Sequence, residues 1–115
     1  MVREIAVAAA VTYAVVSIPV AAQVGETGNQ FYARCQAEAG KADGQCDTYI
    51  QGVADTLAAF GKGGNANGIC GRGYNRGQLS RIYLTWARRN RTTGSLPRLA
   101  GVTFALREAF PCRVN

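Results

Sequence analysis

Four cysteines, Cys35, Cys46, Cys70 and Cys112, are spread along a chain that contains no histidine, and these two facts limit what it can become. All four follow an opening segment that reads as an address. Arg3 leads into an almost wholly apolar run from Ile5 to Val20, Pro19 lies near its end, and Val20-Ala21-Ala22 offers small residues where a signal peptidase inspects the chain. We read residues 1–22 as a signal peptide and 23–115 as the mature domain. A membrane anchor is the competing reading, because an uncharged run of about 18 residues can just span a bilayer. Its many alanines make it weakly apolar, and removal is the better account.

A mature domain of this size buries only about 60% of its unfolded surface and gains from covalent staples. In an exported chain, four cysteines supply two disulfides. A zinc site needs histidines or closely spaced cysteine pairs, and the chain has no histidine and no C-x-x-C. Three pairings can be drawn. The expected one joins Cys35 to Cys46 across a glycine-containing turn and Cys70 to Cys112, pinning a central loop to the chain's end.

The clearest helix runs from Gln45 to Phe60. At 100° per residue, Cys46, Tyr49, Ile50, Val53, Ala54, Leu57 and Phe60 gather within roughly 140°, an amphipathic stripe. Asp47 and Asp55 are expected towards solvent. Beside the stripe lie Gly52, Thr56 and Ala59. A mid-helix glycine costs about 1 kcal/mol against alanine, so Gly52, with Thr56, is expected at a close helix contact or a dimer seam.

Residues 23–28 read as a loose lead. Phe31, Tyr32, Cys35 and Ala39 mark a short helix over 29–39, ended by Gly40 and a turn at 41–44, and Gly61 is placed to cap the central helix in a left-handed conformation. The stretch GKGGNANGICGRGYNRG, residues 61–77, holds seven glycines and three asparagines and can sustain no regular element. Its spacing fits neither a P-loop nor a dinucleotide fingerprint. It reads either as a long connection stapled by Cys70 or as a recognition loop, since long loops in compact domains are commonly functional or disordered.

Helical spacing resumes at 78–89, with Leu79, Ile82, Tyr83 and Trp86 inward, Arg81, Arg88 and Arg89 solvated, and Asn75 as N-cap. After a turn at 90–94, Ser95 caps a last helix with Pro97 in its first turn. Its stripe is Leu96, Leu99, Ala100, Thr103, Leu106 and Phe110, and Pro111 ends it. The fold class is therefore all-α, a compact bundle of about four helices with two disulfides.

Charge is unevenly distributed. The formal net charge is +6; residues 23–71 carry three basic and five acidic groups, whereas 72–115 carry nine arginines against Glu108 alone. This describes either a basic face for an acidic partner or an arginine-rich solvated surface. Catalysis is disfavoured, since there is no histidine, no metal set, and no carboxylate pair other than Asp47 and Asp55 on one helix. Arginines interleave with Tyr74, Tyr83 and Trp86, but the latter two belong to the inward stripe, so nucleic-acid binding is disfavoured as well. No cofactor is expected.

The order of features resembles the Rap1a/Tai family, small exported immunity proteins that protect bacteria from type VI secretion effectors acting in the periplasm. The matching residues are Cys35 after an aromatic helix start, Cys46-x-x-Tyr49-Ile50-x-Gly52-Val53-x-Asp55, Cys70 after the loop, Gln78-Leu79, and Ala105-Leu106-x-x-Ala109-Phe110-Pro111-Cys112. The resemblance implies a disulfide-linked helical protein, often dimeric, that binds a cognate peptidoglycan amidase and blocks its active-site groove with a loop between helices. Here that loop is Gly61 to Gly77, and Lys62, Asn65, Asn67, Arg72, Tyr74 and Arg76 are its candidate contact residues. The implied partners are a cognate effector and a second copy of the chain, with neither nucleic acid nor membrane once the signal is removed. Two departures stand out: Gly71 replaces a proline usual after the third cysteine, and Arg88-Arg89-Asn90-Arg91 replaces a usually acidic segment. Both bear on the effector's identity more than on the fold. The alternative, a periplasmic acid-stress chaperone, needs many carboxylates as a trigger, and the mature chain has six. A third reading is another small envelope-binding protein.

Overall fold

The computed structural model describes residues 25–39, 44–71, 73–75 and 77–112, together with Ala10 and Thr12. Apart from those two residues, the expected signal peptide lies outside the described residues, as do Gly40 to Asp43, Arg72 and Arg76. Among the described residues four α-helices follow one another: α1 (Gly28–Ala37), α2 (Gln45–Gly61), α3 (Gln78–Arg89) and α4 (Arg98–Ala109). A single 3-10 stretch, Arg91–Ser95, joins α3 to α4. The expected all-α bundle with two disulfides is what the chain forms.

From Glu26 onward the lead into α1 is not loose. Thr27 caps the helix, its side chain accepting from the Gln30 N–H while the Gln30 side chain returns a bond to the Thr27 N–H, a capping box. Gly28 N–H donates to the Leu96 carbonyl at 2.8 Å and Arg98 N–H to the Glu26 carbonyl at 3.0 Å, so the start of α1 is tied to the start of α4. The Glu26 carboxylate takes Arg34 at 2.8 Å and Arg98 at 3.5 Å. Arg98 in turn lies 4.0 Å over the Tyr49 ring, within cation–π range.

α2 buries most of its expected stripe and packs against each of the other helices, with three corrections. Its N-cap, Gly44, has no side chain to give, and Glu38 from the end of α1 accepts the Cys46 N–H at 2.8 Å instead. Cys46, Ile50, Val53, Ala54 and Leu57 are buried, but Phe60 is 57% exposed although the next residue, Gly61, is buried. Asp47, expected in solvent, is 4% exposed. It accepts from the Ser80 hydroxyl and the Gly77 N–H at the start of α3, which satisfies a buried carboxylate that would otherwise be costly. Gly61 is no left-handed cap: it is the last helical residue, Lys62 continues in right-handed geometry, and the positive φ falls at Gly64. Gly61 is needed for closeness, since a Cβ there would collide with the Ile69 carbonyl.

α3 begins at Gly77, whose φ of 86° serves where Asn75 was expected to cap. Leu79, Tyr83, Leu84 and Trp86 are buried, while Ile82 is half-buried. Ser95 does not cap α4; Pro97 does, and the helix turns a different face inward than expected. Gly101, Val102, Ala105 and Leu106 are buried, while Leu96 and Leu99 remain 40% and 53% exposed. The core closes around Phe31, whose ring meets Tyr49 edge-on and Tyr83 at a tilt, both with centroids 5.1 Å away. Tyr83 donates its hydroxyl to the Gly28 carbonyl at 3.3 Å. Burial, with Glu26 nearby, pushes its pKa up to about 12.

Both disulfides pair as expected. Cys35–Cys46 joins α1 to α2 with Cα atoms 5.2 Å apart, and Cys70–Cys112 joins the long loop to the residue just past α4 at 4.8 Å.

Candidate partner-binding surface

The glycine-rich connection divides into an exposed tip and a buried foot. Residues 62–67 are all exposed, whereas Gly68 and Ile69 are buried. The foot is held by backbone: Ile69 N–H donates to the Leu57 carbonyl at 3.0 Å and Cys70 N–H to the Phe110 carbonyl at 2.9 Å. Ile69 itself inserts into the core cluster. Gly68 must be glycine, because a Cβ there would meet the Gly61 N and the Leu57 carbonyl. The loop therefore returns against the end of α2 at van der Waals distance, and Cys70–Cys112 locks the return.

The tip is ordered by its own bonds. Gly64 N–H reaches the Gly61 carbonyl at 2.9 Å, Gly68 N–H the Asn65 carbonyl at 3.0 Å, and the Asn65 side chain accepts the Asn67 N–H at 2.9 Å, an Asx turn. From α4, Arg107 Nε donates to the Asn67 carbonyl at 2.8 Å. Among the residues expected to make contact, Lys62, Asn65 and Asn67 are thus presented together at the tip. Tyr74 is elsewhere. It is half-buried, tilted against Phe110 at 5.8 Å, and donates its hydroxyl to Asp55 at 3.0 Å. Desolvation, then the bond to Asp55 and its charge, raises the Tyr74 pKa. Arg72 and Arg76 lie outside the described residues.

Among the described residues, Gly52 and Thr56 are not at a helix contact. Nothing comes within 4 Å of a Cβ built on Gly52, and the Thr56 hydroxyl turns back to the Gly52 carbonyl at 2.9 Å. They line instead an open groove of about 580 Å³ between α2 and α4, with Thr48, Tyr49, Val53, Leu57, Leu99, Thr103 and Arg107. The sequence hid this groove by assigning Leu99 to the core. The available signal was Gly52 beside an apolar stripe, read as packing when it marks a gap.

No group of three Cys, Asp or Glu side chains among the described residues is placed to hold a metal. What the geometry offers is a small disulfide-stapled helical scaffold that presents a fixed loop, which is the build of a protein-binding module. The chain belongs to the Rap1a immunity proteins, whose family model matches residues 27–112. That match runs from the capping threonine of α1 to the last cysteine, and the family is one of inhibitors, not enzymes. No curated protein and no solved structure matches the chain.

Proposed function

We propose that this protein is a periplasmic immunity protein that binds and neutralises a type VI secretion effector of the peptidoglycan amidase class. The observation that carries the reading is the locked loop: exposed Lys62, Asn65 and Asn67 stand on a foot fixed by Ile69, Gly68 and Cys70–Cys112. A loop ordered before binding loses little entropy on docking, so contacts made by a few polar side chains translate into affinity. Seated in an amidase groove, it would exclude the peptidoglycan substrate and need no chemistry of its own.

Export after cleavage at Ala22 supplies the oxidising compartment in which the two disulfides form. Among the described residues no helix is long and apolar enough to cross a membrane. The α2–α4 groove, with Gly52, Thr56 and exposed Leu99, is the seam we assign to a second copy of the chain, leaving the loop tip free for the effector.

The test is co-expression of the full chain with periplasm-directed amidase effectors, beginning with any encoded next to its gene. Growth rescue and a purified complex with at least one of them are expected. Absence of rescue and of complex across the set would reject the immunity reading.

A further inference from the structure

α3 carries three arginines and no acidic residue, and two of them, Arg81 and Arg89, stand with Thr85 on one face at four-residue spacing. Below them a groove of about 330 Å³ opens between α3 and α4, floored by Ile82 and Trp86 from one helix and Ala105 and Ala109 from the other. Among the described residues, Glu108 is the one carboxylate lining it. It pairs with Arg89 at 3.3 Å, both side chains being more than half exposed, so the pair is easily exchanged for another. Arg81 is oriented by donating its Nε–H to the Gly77 carbonyl at 3.4 Å, and among the described residues no carboxylate pairs with it.

We propose that this α3–α4 groove docks an acidic amphipathic segment of a partner protein, its carboxylates on Arg81 and Arg89 and its apolar side chains on the Ile82–Ala105 floor. Guanidinium forks suit carboxylates in a way that fixes orientation. A second copy of the chain fits poorly, because a two-fold contact here would set arginine against arginine. Nucleic acid fits poorly too, since Trp86 is 6% exposed and offers no open face for a base. That the partner is the effector rests on the immunity reading; that it is acidic rests on the groove. On α4 the groove residues Ala105, Glu108 and Ala109 lie roughly opposite Leu99, Thr103 and Arg107 at 100° per residue, so this groove and the α2–α4 one can be filled together.

Trp86, the chain's single tryptophan, reports on the site directly. The probe is a synthetic helical peptide of glutamate and leucine, titrated into the full mature protein while Trp86 fluorescence is followed, with its lysine-for-glutamate counterpart and an oligonucleotide as comparisons. The acidic peptide is expected to shift Trp86 saturably, at least tenfold more weakly in high salt and in the Arg81→Glu/Arg89→Glu double variant, whose helical circular dichroism should match the parent. The lysine peptide should give no shift. No response to the acidic peptide, or an equal response in the double variant, overturns the proposal. So does a response to the oligonucleotide alone, or a Trp86 shift that follows protein concentration without peptide. Effector rescue separates the two readings: peptide binding without any rescuing effector removes the immunity reading only, while full rescue and unchanged complex affinity by the double variant removes the groove as the effector's dock.

Discussion

The Ser80 hydroxyl donates to the buried Asp47 carboxylate, joining the first turn of α3 to the first turn of α2. The same oxygen takes the Gly77 N–H at 3.3 Å, so one carboxylate oxygen ties down both the N-cap residue of α3 and its first turn. Asp47→Ala leaves both donors without their shared acceptor in a part-buried site. It should lower unfolding stability by about 2–4 kcal/mol, with Ser80→Ala nearer 1–2, as read by denaturant melts.

The two disulfides should differ in weight. They close loops with sequence separations of 11 and 42. On the chain-entropy account their removal costs roughly 3 and 4 kcal/mol respectively. Paired alanine variants of Cys35 and Cys46, and of Cys70 and Cys112, compared by chemical denaturation, check the order. Only the second pair should also lose effector binding, because only it holds the loop's foot.

Glycines 52 and 61 sit on the same helix and should respond in opposite directions to alanine. At Gly52 a Cβ meets open space, so Gly52→Ala should raise stability by about 0.5–1 kcal/mol through helix propensity. At Gly61 the Cβ would strike the Ile69 backbone, so Gly61→Ala should lower stability by about 2 kcal/mol or more. Gly52→Leu should fold normally and alter only the oligomeric state, seen by sedimentation; an unfolded protein would place Gly52 back in an intramolecular contact.

Alkali should expose the Tyr83 contact. Its folded pKa, about 12, lies above the usual 10, so the folded state prefers the neutral phenol. The associated stability is intact below pH 10, falls as pH rises towards about 12, and then levels off. Tyr83→Phe should be somewhat less stable at neutral pH, having lost the bond to Gly28, yet lose less stability between pH 10 and 12. Melts at several alkaline pH values would show whether the two curves converge.

Much of the fold was legible because α2 writes its inward face as a clean stripe and because four cysteines without a histidine point to two disulfides, although three pairings could be drawn from the sequence. Asp47 was not legible: its partner Ser80 lies 33 residues away, and a carboxylate is read as wet unless that partner is in view. α4 misled for a different reason. It packs against every other helix and is apolar on several sides, so Leu99 and Val102 compete for the inward position, and Val102 takes it. Gly61 shows a third kind of ambiguity, since glycine serves both left-handed caps and close approach. Of the candidate contact residues, Lys62, Asn65 and Asn67 fall in the exposed tip, but Tyr74 reads in sequence as an aromatic among arginines, whereas Phe110 and the bond to Asp55 draw it inward.

The loop's attachment has a consequence for how such a protein can change. Its foot is secured by main-chain atoms, two glycines, one isoleucine and a disulfide, none of which belongs to the six-residue stretch 62–67 that faces outward. The tip can therefore be rewritten without disturbing the domain beneath it, apart from the Asn65 turn and Gly64, whose φ of 75° favours glycine. On the proposed function, recognition and foldedness are then separable, which makes the scaffold a natural frame for grafting foreign recognition sequences.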